Sequence, residues 1–418
     1  MDFNDSPEEA AYRAQVRTWL EANAPRRAPV NDGNGATDGN GDGEGGGSMA
    51  ASKAWQASKA AAGYACITWP KEWGGQGGNP VQSVIFAAEE AKYPIPPNAF
   101  QIGLGMCVPT LMNFADEATK ARFAGPAIRG EEIWCQLFSE PSGGSDVAAA
   151  RTKAVCADDG SGDWLISGQK VWTTGAQFSD YGIVICRTNP DAPKHKGLTM
   201  FWIDMHDPGV EVKPIHQMSG GSGFNEVFFT DVRVKDSQRL GAVDDGWKVS
   251  LVTLMNERLA VGGATGAGWA EFMEAARNVA GFDGAPAIKD QALREKLADW
   301  YVQAEGLKHT RNRTMTALSR GQTPGPESSI GKIVSAVQMQ ELGNEALEML
   351  DQFGILDDPD LAPLKGAFQS SVMFSPGLRI AGGTDEILKN IIAERVLGLP
   401  GDIRVDKDVA FKDMPTGR

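Results

Sequence analysis

The chain has 418 residues, 42% hydrophobic and 22% charged, a length that suits two or three domains and a composition that excludes a largely disordered protein. Its 54 acidic against 40 basic side chains leave a formal charge of −14, which disfavours nucleic acid and anionic lipid as partners, so an anionic ligand needs a local basic pocket. Five cysteines and four scattered histidines carry no metal-type spacing, and no apolar run approaches the roughly 20 residues that cross a bilayer, so neither a metal site nor membrane insertion is expected.

Ser6-Pro7-Glu8-Glu9 places a capping serine, a proline at the first helical position and a glutamate at the third, and Tyr12, Val16, Trp19 and Leu20 follow at helical spacing. A helix starts there. The acids Asp2, Asp5, Glu8 and Glu9 do not suit an import presequence, so a cytoplasmic protein is expected, with Cys66, Cys107, Cys135, Cys156 and Cys186 as reduced core thiols. Residues 28–48 turn to glycine, asparagine and acids, which bury too little apolar surface to fold and read as a flexible insertion. Asp38 to Gly43 there matches the start of a calcium loop, but Met49 stands where a bidentate glutamate is needed. From Lys53 to about Glu132 the pattern is helical, with breaks at Trp69 to Gly75 and Pro94 to Pro97.

After Trp134 the period changes to two, with strands expected over 136–139, 164–173, 182–188, 198–204 and 226–234 in a compact antiparallel domain. Helices return from Asp244, where Trp247, Leu251, Leu254, Met255 and Arg258 share one side, and continue through 290–318 and 327–350. No strand–helix alternation and no Gly-x-Gly-x-x-Gly after a strand occur, which excludes a Rossmann fold. The order is an α+β protein: a helical domain over 1–133, a β-barrel-like domain over 134–242, a helical bundle over 243–400 and a tail over 401–418.

Three segments carry chemistry. The first, Leu137-Phe138-Ser139-Glu140-Pro141-Ser142-Gly143-Gly144-Ser145-Asp146, runs from a strand into a loop of small residues whose amides can approach a flat ring or a phosphate. In the second, Gly168 to Gly175, Trp172 and Thr174 stand two apart, which on a regular strand puts an indole and a hydroxyl on one face. The third, Arg379-Ile380-Ala381-Gly382-Gly383-Thr384-Asp385-Glu386-Ile387, is a tight turn followed by a capping threonine and an acidic first helical turn. Taken singly, a turn, a core tryptophan and a helix start are the better explanations.

Together, and with Trp69 to Gly75 and Asn256-Glu257-Arg258-Leu259, they resemble the acyl-CoA dehydrogenase family from Met1 to about Pro400. That resemblance implies an N-terminal helical domain, a middle antiparallel β domain and a C-terminal four-helix bundle, with FAD where the latter two meet. It implies that Phe138 and Ser139 border the flavin pyrimidine, and that Gly144 and Ser145 lie along the ribityl and phosphate part. Trp172 and Thr174 then contact the ring, and Thr384 joins the cofactor site. Arg258, Ser145 and Gly383 are expected on the acyl-CoA substrate. An electron-transfer flavoprotein is the implied electron acceptor, and the implied assembly is a homo-oligomer (dimer or tetramer) or a hetero-oligomer with a related subunit.

In this chemistry a carboxylate removes the α-proton while hydride leaves the β-carbon, and the thioester carbonyl must be polarised. Many members carry the base just before the Gly-Thr of the third segment, where this chain has Gly382. Members similar to the isovaleryl-CoA and long-chain enzymes place it on the first long helix of the last domain, where this chain has Glu257. Glu257 is thus the expected base, the Gly382 amide the expected donor to the thioester oxygen, and Arg258, about 100° around the helix, faces an edge of the pocket near coenzyme A. The family's Arg-x-x-Phe-Gly and Gly-Gly-x-Gly segments, which hold the far end of FAD, have only poor counterparts at Arg277–Phe282 and Asp351–Leu356. A flavin oxidase or monooxygenase on the same scaffold, and a non-catalytic subunit of a heteromeric enzyme, are the alternatives; Trp172, Thr174 and Glu257 favour the dehydrogenase.

Overall fold

Residues 5–26, 46–260, 268–281, 284–320, 325–356, 358–403 and 406–414 are described in the computed structural model. The calcium-like Asp38–Gly43 segment and most of the 28–48 insertion lie outside them. Two compact units emerge, one made of Asp5–Ala260 with Asp402–Arg418 and the other of Val261–Gly401.

The first unit opens with α1 (Pro7–Asn23), and the expected capping box is in place: Ser6 Oγ accepts from the Glu9 amide at 3.2 Å and the Glu9 carboxylate from the Ser6 amide at 2.7 Å. Next come α2 (Gly46–Ala62), α3 (Pro80–Glu90), α4 (Val108–Phe114) and α5 (Glu117–Arg129). Because α2 starts at Gly46, the last residues assigned to the insertion are helical. Val16, Leu20, Trp55, Tyr64 and Phe86 knit α1, α2 and α3 together.

The sheet holds β1 (Trp134–Leu137), β2 (Lys153–Cys156), β3 (Trp164–Thr174), β4 (Tyr181–Arg187), β5 (Leu198–Asp204), β6 (Val210–Ile215), β7 (Phe224–Val234) and β8 (Arg239–Leu240). Their order is β6-β7-β3-β2-β4-β5-β8, with β1 beside β4. Most pairs are antiparallel as expected, but β1 runs parallel to β4, and β2 meets β4 in parallel at Lys153 and Arg187. One apolar set of the sheet, with Ile166, Val184, Phe201 and Val227, forms its own core. Another, with Ile183, Ile185 and Met200, packs with Leu111, Phe123 and Val249. Cys66, Cys107, Cys135 and Cys186 are buried free thiols, whereas Cys156 is exposed, because it sits at the end of β2 with only Ala154 of that strand turned inward.

Helix α6 (Gly246–Ala260) belongs to this first unit, and it packs through a different side than its apolar residues suggest. Leu251 and Met255 are exposed, while Val249, Ser250 and Thr253 are fully buried. Small residues are needed there because the helix lies close on β5: a side chain at Gly246 would stand 2.8 Å from the Leu198 backbone. The Thr253 hydroxyl is satisfied by the Thr110 hydroxyl at 2.9 Å.

The second unit is helical: α7 (Trp269–Asn278), α8 (Gln291–Ser319), α9 (Ser329–Leu350), α10 (Ala367–Ile380) and α11 (Asp385–Arg395). Its core gathers Phe272, Trp300, Leu342, Ala346, Leu350 and Phe368. The architecture is α+β, with helices first, a sheet in the middle and helices last. No described helix is long and apolar enough to cross a membrane, and the described residues contain no group of three His, Cys, Asp or Glu side chains that could hold a metal.

Candidate active site

The loop after β1 is built around a buried ion pair. Glu140 is 6% exposed and Lys170, from β3, is fully buried, with Nζ 2.8 Å from Glu140 Oε1. The Glu140 carboxylate also accepts the amides of Arg151 at 2.7 Å and Thr152 at 2.8 Å, and Lys170 Nζ donates to the Phe138 carbonyl at 3.2 Å. Burial raises the Glu140 carboxyl, but the Lys170 ammonium and the two amides outweigh it and hold it below its ordinary value. One carboxylate thus closes both ends of the loop from Ser139 to Thr152. The motif's glutamate reads in sequence as part of a ligand loop; here it holds the loop's shape.

With its ends tied, the loop displays its small residues. Gly144 and Ser145 are exposed, and among the described residues neither amide has an acceptor in the protein. Ser139 Oγ lies 3.6 Å from where a Cβ would stand on Gly144, so the serine and the exposed glycine turn lie side by side. Phe138 is 4% exposed and belongs to the core with Trp134 and Ile183, so only its backbone is offered to a ligand. The second segment is held by Gly168: a side chain there would meet Thr152 Cα at 2.7 Å, so β3 can cross the loop's end only at glycine.

Trp172 has φ 59°, and the β3–β7 register shifts between Lys170 and Thr173. This is a bulge. The two-residue period is broken, so a common face for Trp172 and Thr174 does not follow from strand geometry. The bulge leaves the Trp172 indole 58% exposed, touching the edge of Phe224 at 6.1 Å between centroids, while Thr173 is buried with an unpartnered hydroxyl. An exposed indole on a non-glycine residue at positive φ marks a conformation the surrounding sheet imposes, and such positions cluster at ligand sites. Unspent amides, a free serine face and an exposed indole on one unit fit a large flat cofactor with an anionic tail.

In the helical unit the Ala381–Gly383 turn has its own clamp. Gly382 and Gly383 take φ 64° and 92°, the left-handed region where a side chain is strained. Lys332, from α9, donates to the carbonyls of Gly383 at 2.8 Å and Arg379 at 3.1 Å. Arg379 Nε meets Asp385 Oδ2 at 2.7 Å, and Asp385 is 2% exposed. Burial pulls Lys332 below the usual lysine value, with Asp385 opposing. Thr384 caps α11 as expected, its Oγ accepting from the Ile387 amide at 3.2 Å. Among the described residues the amides of Gly382 and Gly383 have no protein acceptor. Sequence reasoning missed Lys332; a lysine on an otherwise amphipathic helix gives no local signal that it points at a turn 50 residues on.

Glu257 and Arg258 lie in the last turn of α6, but their side chains fall outside the described residues, as does Phe282. Phe353 and Ile355 are exposed, at 50% and 87%.

Three family models match nearly the whole chain: "Acyl-CoA dehydrogenase, N-terminal domain" over 6–131, "middle domain" over 135–232 and "C-terminal domain" over 244–397. Acyl-CoA dehydrogenase IpdE1 of Mycobacterium tuberculosis is 34% identical over 406 residues, 94% of this chain and 98% of its own. Acyl-CoA dehydrogenase FadE34 of the same organism is 37% identical over 345 residues, 82% of this chain, which spans under half (46%) of that relative's length. Among solved structures, the ChsE4-ChsE5 complex from Mycobacterium tuberculosis superimposes with a TM-score of 0.75 at 26% identity, covering 96% of this chain and 100% of the other. A "Tcur3481-Tcur3483 steroid ACAD" shares the fold at a TM-score of 0.79 and 24% identity, covering 96% and 100%.

Proposed function

The chain belongs to the acyl-CoA dehydrogenase family of oxidoreductases, and from that premise we propose that it binds FAD and desaturates an acyl-CoA thioester between its α and β carbons, with Glu257 as the base. The observation that carries the reading is the β-unit surface with the free amides of Gly144 and Ser145 and the exposed Trp172. Ser139, Gly144 and Ser145 would hold the polar chain of the cofactor, Phe138 its pyrimidine edge through backbone, and Trp172 and Thr174 its ring, with Thr384 contributing. FAD, when bound, would accept the β-hydrogen as hydride.

The chain's own part is to move one proton and to bear one negative charge. Glu257 removes the α-proton. The Gly382 amide donates to the thioester oxygen, where charge develops; among the described residues that amide has no protein acceptor. Arg258, Ser145 and Gly383 bind the rest of the acyl-CoA. Electrons then pass to an electron-transfer flavoprotein, in a cytoplasmic reaction. The poor counterparts of the family's far-end FAD segments favour a second subunit completing the cofactor site, a homo- or hetero-oligomer; the similar ChsE4-ChsE5 structure is a complex.

The test is the visible spectrum of pure protein, alone and with a panel of acyl-CoAs. A flavin band that bleaches with one of them is expected. A folded protein that neither carries nor takes up FAD would sink the reading, and substrate-reduced protein that air reoxidises at once would favour an oxidase.

A further inference from the structure

Residues 406–414 lie beyond the family matches, which end at Leu397, yet they return to the unit that carries the Ser139–Asp146 loop. There Ala410 bridges to Pro193, the Phe411 amide donates to the Ala192 carbonyl at 2.9 Å, and the Lys412 amide donates to that of Pro190 at 2.9 Å. Lys412 Nζ also meets Asp191 at 2.6 Å. What the segment covers is the guanidinium of Arg187, which holds the loop's far end.

Arg187, at the end of β4, is 5% exposed and donates to the carbonyls of Ala148 at 2.6 Å, Ala150 at 3.3 Å and Lys194 at 2.8 Å. Its guanidinium spends its edge on those carbonyls and leaves its face open, and the Phe411 ring closes that face with its centroid 3.8 Å from Cζ. Arg151, at the loop's far end, also lies over Phe411, at 5.4 Å. Lys194 joins the two segments directly, 2.8 Å from Asp146 in the loop and 3.0 Å from Asp406 in the tail. Removing the ring would let water compete for Arg187 and loosen three carbonyl bonds at once.

We propose that residues 406–414 are a strap that positions the Ser139–Asp146 loop for the phosphate-bearing part of FAD. Glu140 ties the loop's ends, and the strap sets the course of the chain between them. The proposal rests on the cofactor reading above.

Phe411→Ala, with Asp406→Asn as a milder break, is compared with wild type by FAD titration of the apo-protein and by amide hydrogen exchange across residues 143–150. The expected result is a roughly tenfold rise in FAD Kd for Phe411→Ala, about 1.4 kcal/mol, with faster exchange confined to that loop and an unchanged helical unit. Phe411→Trp, which keeps a ring over Arg187, should restore both. Wild-type affinity in Phe411→Ala and Asp406→Asn overturns the strap and leaves the cofactor reading standing. Wild-type protein that takes up no FAD overturns both.

Discussion

Lys170 is wholly enclosed, and a buried ammonium is tolerated only with a partner and satisfied donors. Removing the partner charge by Glu140→Gln should therefore cost roughly 3 kcal/mol, read as a lower urea midpoint. The pH dependence has a fixed sign. Glu140 has a folded value below its ordinary one, so its stabilisation is complete above about pH 4.3 and lost as pH falls through the lowered value. The gap between wild type and Glu140→Gln should narrow on acidification; a constant gap from pH 7 to about pH 3 would refute the assignment. For Glu257→Gln the expectation is intact FAD and ligand binding with flavin reduction slowed at least ~1000-fold, since shape survives and basicity does not. Reduction at the wild-type rate in a stopped-flow trace would remove Glu257 from the mechanism. The bulge at Trp172 was not legible, because a register shift depends on which residues of β7 lie opposite. Glu140 was legible in its motif without its role, since its partner Lys170 is 30 residues away in sequence.

At the scale of elements, capping chemistry was the most readable layer: Ser6 and Thr384 each start a helix where their side chains say they should. β6 and β2 were not read as strands, and the reasons are physical. β6 is an edge strand with half-exposed positions and Pro214 within it, and β2 has four residues, one of them buried. α6 misled in the other direction, because a stripe of Leu251 and Met255 outranks Ser250 and Thr253 in any apolar reading although the small residues are the ones that fit against β5. The Lys332 clamp links α9, α10 and α11, so Lys332→Met should strip two charged hydrogen bonds from the Gly382 turn at a cost of about 2 kcal/mol. Its functional mark is a smaller infrared shift of a bound, isotope-labelled thioester carbonyl, partly recovered in Lys332→Arg. A full carbonyl shift in Lys332→Met would show that the turn holds itself.

The three-part order of the whole molecule was evident once the hydrophobic period changed at Trp134 and changed back at Asp244. The division into compact units was not, since nothing local in α6 says it packs with the sheet. Substrate preference is a property of this scale. On the proposed mechanism Gly382 would put no side chain beside the reacting carbons, which would suit a branched, ring-bearing or otherwise bulky acyl chain. Comparing kcat/KM for straight, branched and cyclic acyl-CoAs with an artificial electron acceptor should show at least a roughly tenfold preference for a bulky one; a clear preference for a straight medium chain ends the idea. The first unit is discontinuous, opened by Asp5–Ala260 and closed by residues after Gly401. Synthesis is vectorial, at about 5–20 residues per second, so the ribosome must make the entire helical unit, for on the order of ten seconds, before Phe411 exists to cover Arg187. Throughout that interval the nascent β-sheet holds a buried guanidinium with one face uncovered. A stall or a frameshift anywhere in the helical unit therefore damages a second unit whose own codons are intact up to Ala260.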